Sequence, residues 1–238
     1  MFRSNDNHAF DSSDQSSFWI PYSDLMAGLL GIFALLLVIT IYKLGEPLND
    51  VRSLLEERRA VVEDLKTSFR GDKRIEITDA GSIRFLGEIL FEPGDDELSN
   101  DGREVLTDLM PKYLDVITSR QQFTNQLSRI LVEGHADPSF ALDDSVAAYL
   151  YNLDLSQRRA ASVVEYLIQS DVLHVHEEFM QRFFMASGRS STDLIKDGRT
   201  GEVDFARSRR IQIDFLMKDK ELLNTIMKAI GFEGTADE

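Results

Sequence analysis

Hydrophobic and polar positions divide this chain into stretches of different period. Residues 1–17 are polar and rich in Ser, Asp and Asn, a composition that favours a disordered tail. Residues 18–42 are a nearly unbroken apolar run, with no charged side chain from Leu25 to Ile41. A helix over residues 19–42 would be roughly 36 Å long at 1.5 Å per residue, enough to span a bilayer with some tilt. Phe18, Trp19 and Tyr22 read as an aromatic belt at one interface. Between about 48 and 69 the period changes. Leu48, Leu55, Val62 and Phe69 recur every seventh position, with Val51, Arg58 and Leu65 between them. That predicts an amphipathic helix within a linker over residues 43–72. Its seam suits a short dimer-forming neck, imperfect at Arg58; a helix lying on the membrane or on its own domain fits the pattern equally.

Residues 73–217 switch between periods of two and 3.6, the signature of an α/β domain. Strands are expected at 73–78 and 82–87, joined around Ala80-Gly81, and a strand closing into a loop at Pro93-Gly94. A helix is predicted over 99–119, with Val105, Leu106, Leu109, Tyr113 and Ile117 inward and Pro111 as a kink. A buried strand at 129–134 precedes a helix over 156–169 capped by Ser156. Another helix and strand fall in 176–188, and a last strand at 209–217. In the tail, residues 218–238, the segment 221–232 suits a short amphipathic helix.

The apolar run does not look like a cleaved signal peptide. Arg3 is the only basic residue before it, and no small-x-small site follows it. It reads as an uncleaved anchor. The net charge of −15 argues against nucleic acid as a partner. The absence of cysteine excludes a disulfide frame and a thiolate metal site. No nucleophile–base set, metal cluster or cofactor motif is visible, so the sequence offers no catalytic residue and an enzyme is not expected.

Two places carry chemistry. Asp24 sits at the head of the apolar run, where a carboxylate costs free energy and marks an ion or proton path by default. It also suits a headgroup-level N-cap, since Pro21 and Ser23 favour a helix start. The second place is built from three separated pieces. Glu133-Gly134-His135-Ala136-Asp137 looks like a strand-end G-H-T-D. Asn152 to Ala160 matches N-x-x-L-S-x-x-R-A. Ala206 to Ile213 is similar to A-x-N-R-R-V-x-I. In this order they resemble the OmpA-like peptidoglycan-binding fold across roughly 75–217.

That resemblance implies a ligand site at Asp137, Asn152, Leu155 and Arg159. A peptidoglycan stem carries a diaminopimelate centre with both an ammonium and a carboxylate. Asp137 would take the ammonium and Arg159 the carboxylate in a two-pronged fork, assisted by free backbone donors at the helix start near Ser156. Asn152 and Leu155 would shape the groove. The bland alternative is that Asp137 and Arg159 only bridge each other. The chain departs from the pattern at Ala136, at Ser208, and in the long connection 138–151. His135 reads as a structural histidine, and His174 and His176 as surface residues.

One apolar span headed by Asp24, then a neck and an OmpA-like domain, resembles the MotB class of stator subunits. The run from Phe18-Trp19 through Asp24-Leu25-Met26-Ala27-Gly28-Leu29-Leu30 is closer to the B subunits of Zorya anti-phage systems. The resemblance implies an inner-membrane protein with a cytoplasmic N-terminus and a periplasmic C-terminal domain. It implies a dimer of this chain inside a ring of MotA-like (ZorA-type) subunits, anchored to peptidoglycan, with Asp24 carrying the coupling ion. A flagellar-type stator subunit and a passive wall tether without ion conduction are the alternatives.

Overall fold

The computed structural model describes residues 14–138 and 145–218, with 14–21 and 43–51 described by their backbone alone. The chain divides into two compact units, one up to Asp50 and one starting at Val51. The expected C-terminal helix at 221–232 and most of the polar tail lie outside the described residues.

In the first unit, helix α1 (Asp14–Ser68) carries the apolar run. Tyr22–Tyr42 has a mean hydropathy of 2.6 and is long and apolar enough to cross a membrane. Its large side chains, from Leu25 through Tyr42, are exposed, as expected where lipid supplies the apolar surroundings. The Thr40 hydroxyl donates to the Leu36 carbonyl at 2.8 Å, so it needs no partner outside the helix.

In the second unit, the last turns of α1 join an α/β layer. Val61, Val62, Leu65 and Phe69 are buried in the main core, whereas Leu55 is exposed. The heptad pattern reflects this: its C-terminal members face the domain's own sheet and helices. Strands β1 (Ile75–Ile77) and β2 (Ile83–Leu86) form a hairpin. Its turn uses Gly81 at φ +90°, where a Cβ would meet Phe215 and Val62 at 2.7 Å. Both the left-handed backbone and the close approach require glycine.

Short helix α2 (Gly87–Leu90), α3 (Asn100–Ser119) and α4 (Gln121–Gln126) lead to the long strand β3 (Leu127–His135). Ser99 caps α3 by accepting from Gly102 N at 2.9 Å, and Pro111 lies within its span. Helix α5 (Ser145–Gln169), a 3-10 turn (Asp171–His176) and α6 (Glu177–Phe183) precede β4 (Phe184–Gly188). The chain then passes through α7 (Phe205–Ser208) into β5 (Arg210–Met217).

The sheet order is β1-β2-β5-β3-β4, antiparallel except for the β3–β4 pair. Register explains its two faces. Ile83 pairs with Ile213 and Ile213 with Val132, a buried row under the helices. One position along, Arg84 pairs with Gln212 and Gln212 with Glu133, and the Arg84 guanidinium donates to Gln212 at 2.8 Å on the opposite face. Alternation thus separates an apolar face from a polar one. Phe215 and Phe123 meet edge-to-face at 5.1 Å in the core.

Candidate functional site

The C-terminal end of β3 opens into a groove of about 430 Å³. One wall is α2 and the loop after it, with Phe91 and Pro93; the other is α5, with Tyr151, Asn152, Leu155 and Arg159; Asp137 and Arg209 lie between. Three of the α5 residues follow from spacing. Asn152, Leu155 and Arg159 lie at i, i+3 and i+7, on one helical face, and all three are buried. The structure therefore brings Asp137, Asn152, Leu155 and Arg159 to one cavity.

Arg159 is 8% exposed. Its Nε donates to the Asp95 carbonyl at 2.7 Å and its Nη2 to the Glu92 carbonyl at 3.2 Å. The guanidinium lies 5.0 Å from the centre of the Phe91 ring, within cation–π range. Burial holds its pKa below the ordinary arginine value, partly offset by the nearby Asp96 and Asp95. Among the described residues its hydrogen bonds go to carbonyls, not to a carboxylate. A desolvated cation so placed favours an anionic ligand in the groove.

Asp137 is 6% exposed. Its Oδ2 accepts a short bond from Arg209 Nη1, and its backbone carbonyl accepts from Asn152 Nδ2 at 3.3 Å. Arg209 thus joins the site; it lies within the third motif, but nothing in that motif marks it as part of the groove. It stands at the α7–β5 junction, with its carbonyl bonded to Gly87 N at 2.7 Å. Ser208, one of the departures from the family pattern, is fully buried; its Oγ donates to the Asp204 carbonyl at 2.7 Å and accepts from Ile195 N at 2.9 Å. It holds the turn that presents Arg209.

The loop that supports Arg159 is shaped locally. Gly94 has φ +80°, the Asp95 carboxylate accepts from the N–H groups of Asp96 and Glu97 at 2.8 and 3.1 Å, and a bridge between Phe91 and Leu98 closes its base. These bonds direct the Glu92 and Asp95 carbonyls toward α5.

Helix α5 begins at Ser145, which corrects the expected start at Ser156. Residues 145–155 include Ala147, Ala148, Leu150 and Leu153 and no Gly or Pro, so nothing interrupts the helix there. Ser156 is interior: its Oγ donates to the Leu153 carbonyl at 3.0 Å and accepts from Ser190 N at 3.1 Å. Near Arg159 the backbone N–H groups are consumed within the helix, so the N-terminus of α5 supplies no donors there. What lets α5 approach is a pair of glycines. Gly134 and Gly188 are register partners on β3 and β4. A Cβ on Gly134 would lie 2.0 Å from the Ser156 carbonyl oxygen, and one on Gly188 would lie 2.6 Å from Gln157 N.

The other singled-out residues lie elsewhere. Asp24 is exposed within α1, whose start at Asp14 is about three turns upstream. It is therefore not an N-cap, because its neighbouring N–H groups have intrahelical partners. His135 is 3% exposed, and its two ring nitrogens lie 3.8 Å from Glu133 and Asp193. Burial, then Arg210, pushes its pKa down to about 3. His174 is exposed beside Glu177, and His176 is largely covered and bonded to Asp115 at 3.1 Å. Among the described residues no cluster of three metal-ligating side chains occurs.

Comparison with known proteins gives a family and specific relatives. The model of the OmpA family matches residues 90–209, half of the chain. The chain is 28% identical to the Zorya protein ZorB of Escherichia coli strain Crooks over 81% of its own length and 85% of that protein's. It is 24% identical to the Zorya protein ZorB of Escherichia coli O139:H28, over 87% and 84%. Among solved structures it is similar to a MotB-like protein from Desulfovibrio vulgaris, at 22% identity and a TM-score of 0.49, covering 70% of this chain and 98% of that one. It is also similar to the cell wall anchor of the T6SS from Pseudomonas aeruginosa, at 23% identity and a TM-score of 0.44, covering 67% and 98%.

Proposed function

The chain belongs to the OmpA family, and on that premise we propose that it is the wall-anchored, MotB-like subunit of an ion-driven inner-membrane motor of the Zorya anti-phage type. The observation that carries the anchoring is that the buried Arg159 and the buried Asp137 line one groove. A diaminopimelate centre has a carboxylate and an ammonium on the same carbon. Arg159 takes the carboxylate without having to release a carboxylate partner. Asp137 takes the ammonium, with Arg209, whose side chain is 40% exposed, moving aside or sharing the carboxylate. Each charge-assisted bond in such a site is stronger than its neutral counterpart.

The motor part of the reading rests on Asp24 and on the likeness to the ZorB proteins, which extends over four-fifths of the chain. Tyr22–Tyr42 crosses the inner membrane once, with the N-terminus in the cytoplasm and the groove in the periplasm. Two copies of the chain stand inside a ring of MotA-like (ZorA-type) subunits. Each Asp24, enclosed by the ring, accepts a proton or cation from the periplasmic side and releases it to the cytoplasm. Alternating occupancy of the two carboxyls favours different packings of the ring. Anchorage at the wall converts those repackings into rotation of the ring about a fixed shaft.

The test is a deletion strain assayed for both phage protection and swimming. Loss of protection with normal swimming is expected, and complementation by an Arg159→Ala chain should fail. A swimming defect with unaltered phage sensitivity would assign the chain to the flagellar class.

A further inference from the structure

A second cavity, of about 280 Å³, opens on the polar face of the sheet and shares no lining residue with the groove. The chain has a net charge of −15, yet five of the eight residues lining this cavity are cationic: Lys73, Arg74, Arg84, Arg207 and Arg210. Glu76 is the one acid among the described lining residues. Positive charge gathered against the sign of the whole molecule is a local field for an anion. Strand register assembles it. Glu76 of β1 pairs with Arg84 of β2, Arg84 with Gln212 of β5, and Leu86 with Arg210.

Three of the cations are neutralised. Arg74 reaches Asp72 and Asp108, each at 2.6 Å. Arg210, 2% exposed, reaches Asp193 at 2.7 Å. Arg207 donates to both carboxylate oxygens of Glu76 at 2.9 Å. The other two are not neutralised. Arg84 spends its Nε on Gln212 Oε1 at 2.8 Å, and among the described residues its terminal nitrogens donate to no acceptor; Glu76 stands 3.9 Å from Nη1. Lys73 Nζ has no hydrogen bond or ion pair among the described residues. Gln212 Oε1 also accepts from Arg210 Nε at 3.1 Å, so one neutral oxygen holds two guanidiniums side by side. Burial keeps Arg210 below the ordinary arginine value; Asp193 offsets this in part, and Arg84 adds to it. Like charges confined in this way repel each other, and a bound anion relieves the repulsion.

The count of unmatched charges selects the ligand. A carboxylate or a phosphodiester brings one negative charge and leaves either the Arg84 fork or the Lys73 ammonium unmatched. A phosphate monoester brings about −1.5 to −2 at neutral pH and three acceptor oxygens. That suffices for a two-pronged arginine contact and a lysine point charge together. We propose that this cavity is a phosphomonoester site, in which Arg84 grips two phosphate oxygens and Lys73 the third. A soluble phosphate ester and the headgroup of a phosphatidate-type lipid present the same chemistry.

The test titrates the full chain in uncharged detergent with glycerol 3-phosphate, dimethyl phosphate and acetate, by calorimetry at neutral pH and physiological salt. Glycerol 3-phosphate should bind with a Kd of about 1 mM or tighter, and the two monoanions roughly tenfold more weakly or worse. Arg84→Gln and Lys73→Met should each weaken glycerol 3-phosphate by roughly tenfold or more, and Arg84→Lys, which keeps the charge without the fork, should fall between. Arg182→Gln, which removes an exposed cation on α6, should stay within roughly twofold of wild type. If Arg84→Gln loses its folded circular dichroism, Lys73→Met decides alone, because Lys73 is exposed and its ammonium is bonded to nothing among the described residues. No binding by the wild-type chain, equal binding of the three probes, or wild-type affinity in Lys73→Met overturns the proposal. The same titration in phosphatidylcholine nanodiscs separates the two sources. Suppression of glycerol 3-phosphate binding by added phosphatidic acid, but not by phosphatidylglycerol, assigns the site to a lipid headgroup. Unchanged binding assigns it to a soluble ester, and either result upholds the site.

Discussion

Gly134→Ala is expected to unseat α5 from the sheet and so to damage both stability and the groove. The added Cβ would stand 2.0 Å from the Ser156 carbonyl oxygen and 2.8 Å from its carbonyl carbon. Ordinary contact begins at 3.4 Å, so helix and strand must separate locally by about 1.4 Å. The obstacle is backbone, which cannot rotate away as a side chain would. Overpacking of this kind costs typically 1–3 kcal/mol, and a main-chain contact belongs at the upper end or beyond. With a urea m-value of roughly 2 kcal/mol per molar, the unfolding midpoint should fall by about 1 M or more. The same separation carries Asn152 and Arg159 away from Asp137 and from the Glu92 and Asp95 carbonyls. Bonds now at 2.7 to 3.3 Å would then exceed hydrogen-bonding range. Urea denaturation followed by circular dichroism, with sedimentation on purified sacculi, measures both effects. Gly198→Ala is the control: no heavy atom lies within 4 Å of its built Cβ, so it should stay within about 0.5 kcal/mol of wild type. A Gly134→Ala chain with the wild-type midpoint and wild-type sedimentation would refute the flush packing of α5.

Arg159→Ala and Asp137→Ala should each weaken binding to sacculi by tenfold or more, the loss of about 1.4 kcal/mol or more of charge-assisted bonding; wild-type sedimentation of both would place wall binding elsewhere. Asp24→Asn should abolish phage protection while the chain still inserts and co-purifies with its ring, because the amide keeps the size but cannot carry a proton; full protection would leave only the tether role. His135 is held well below the unfolded value of 6.5, so the folded state binds fewer protons than the unfolded chain between pH 6.5 and about 3. Stability should therefore fall as pH drops through that window, at up to about 1.4 kcal/mol per pH unit. Replacing His135 with Gln should flatten that slope in pH-dependent urea melts, and an unchanged slope would assign the acid sensitivity to other groups.

The order of elements was readable because alternation and helical spacing are local properties. The strand pattern over 209–217 lies within one residue of β5, and the helix predicted over 99–119 within one residue of α3. The start of α5 is not legible in the sequence, because Ser156 is a good capping residue in isolation. Its hydroxyl is instead engaged by Ser190, 34 positions later, a tertiary contact that no local pattern encodes. The role of Arg209 is hidden for a similar reason. The sequence pairs Asp137 with Arg159 by analogy, but among the described residues the Asp137 carboxylate is bonded by Arg209, just before β5, whose place is set by the turn at Ser208. The carbonyls that receive Arg159 are likewise invisible in sequence, since any residue has one. The heptad pattern before residue 70 could not show what it faced, because a coiled-coil partner and a domain core demand the same spacing of apolar side chains.

The position of β5 has a consequence for how the molecule is made. It is the last strand among the described residues and the central one in the sheet, between β2 and β3. Ile213 pairs with Ile83 on one side and Val132 on the other, closing long loops whose entropy must be overcome before their contacts form. Until residue 210 is available, the β1–β2 hairpin and the β3–β4 pair have no strand to join them, and both present open edges of the kind that invite misassociation. The domain therefore cannot complete its sheet until residues 210–217 are available, and its two parts join in a single late step.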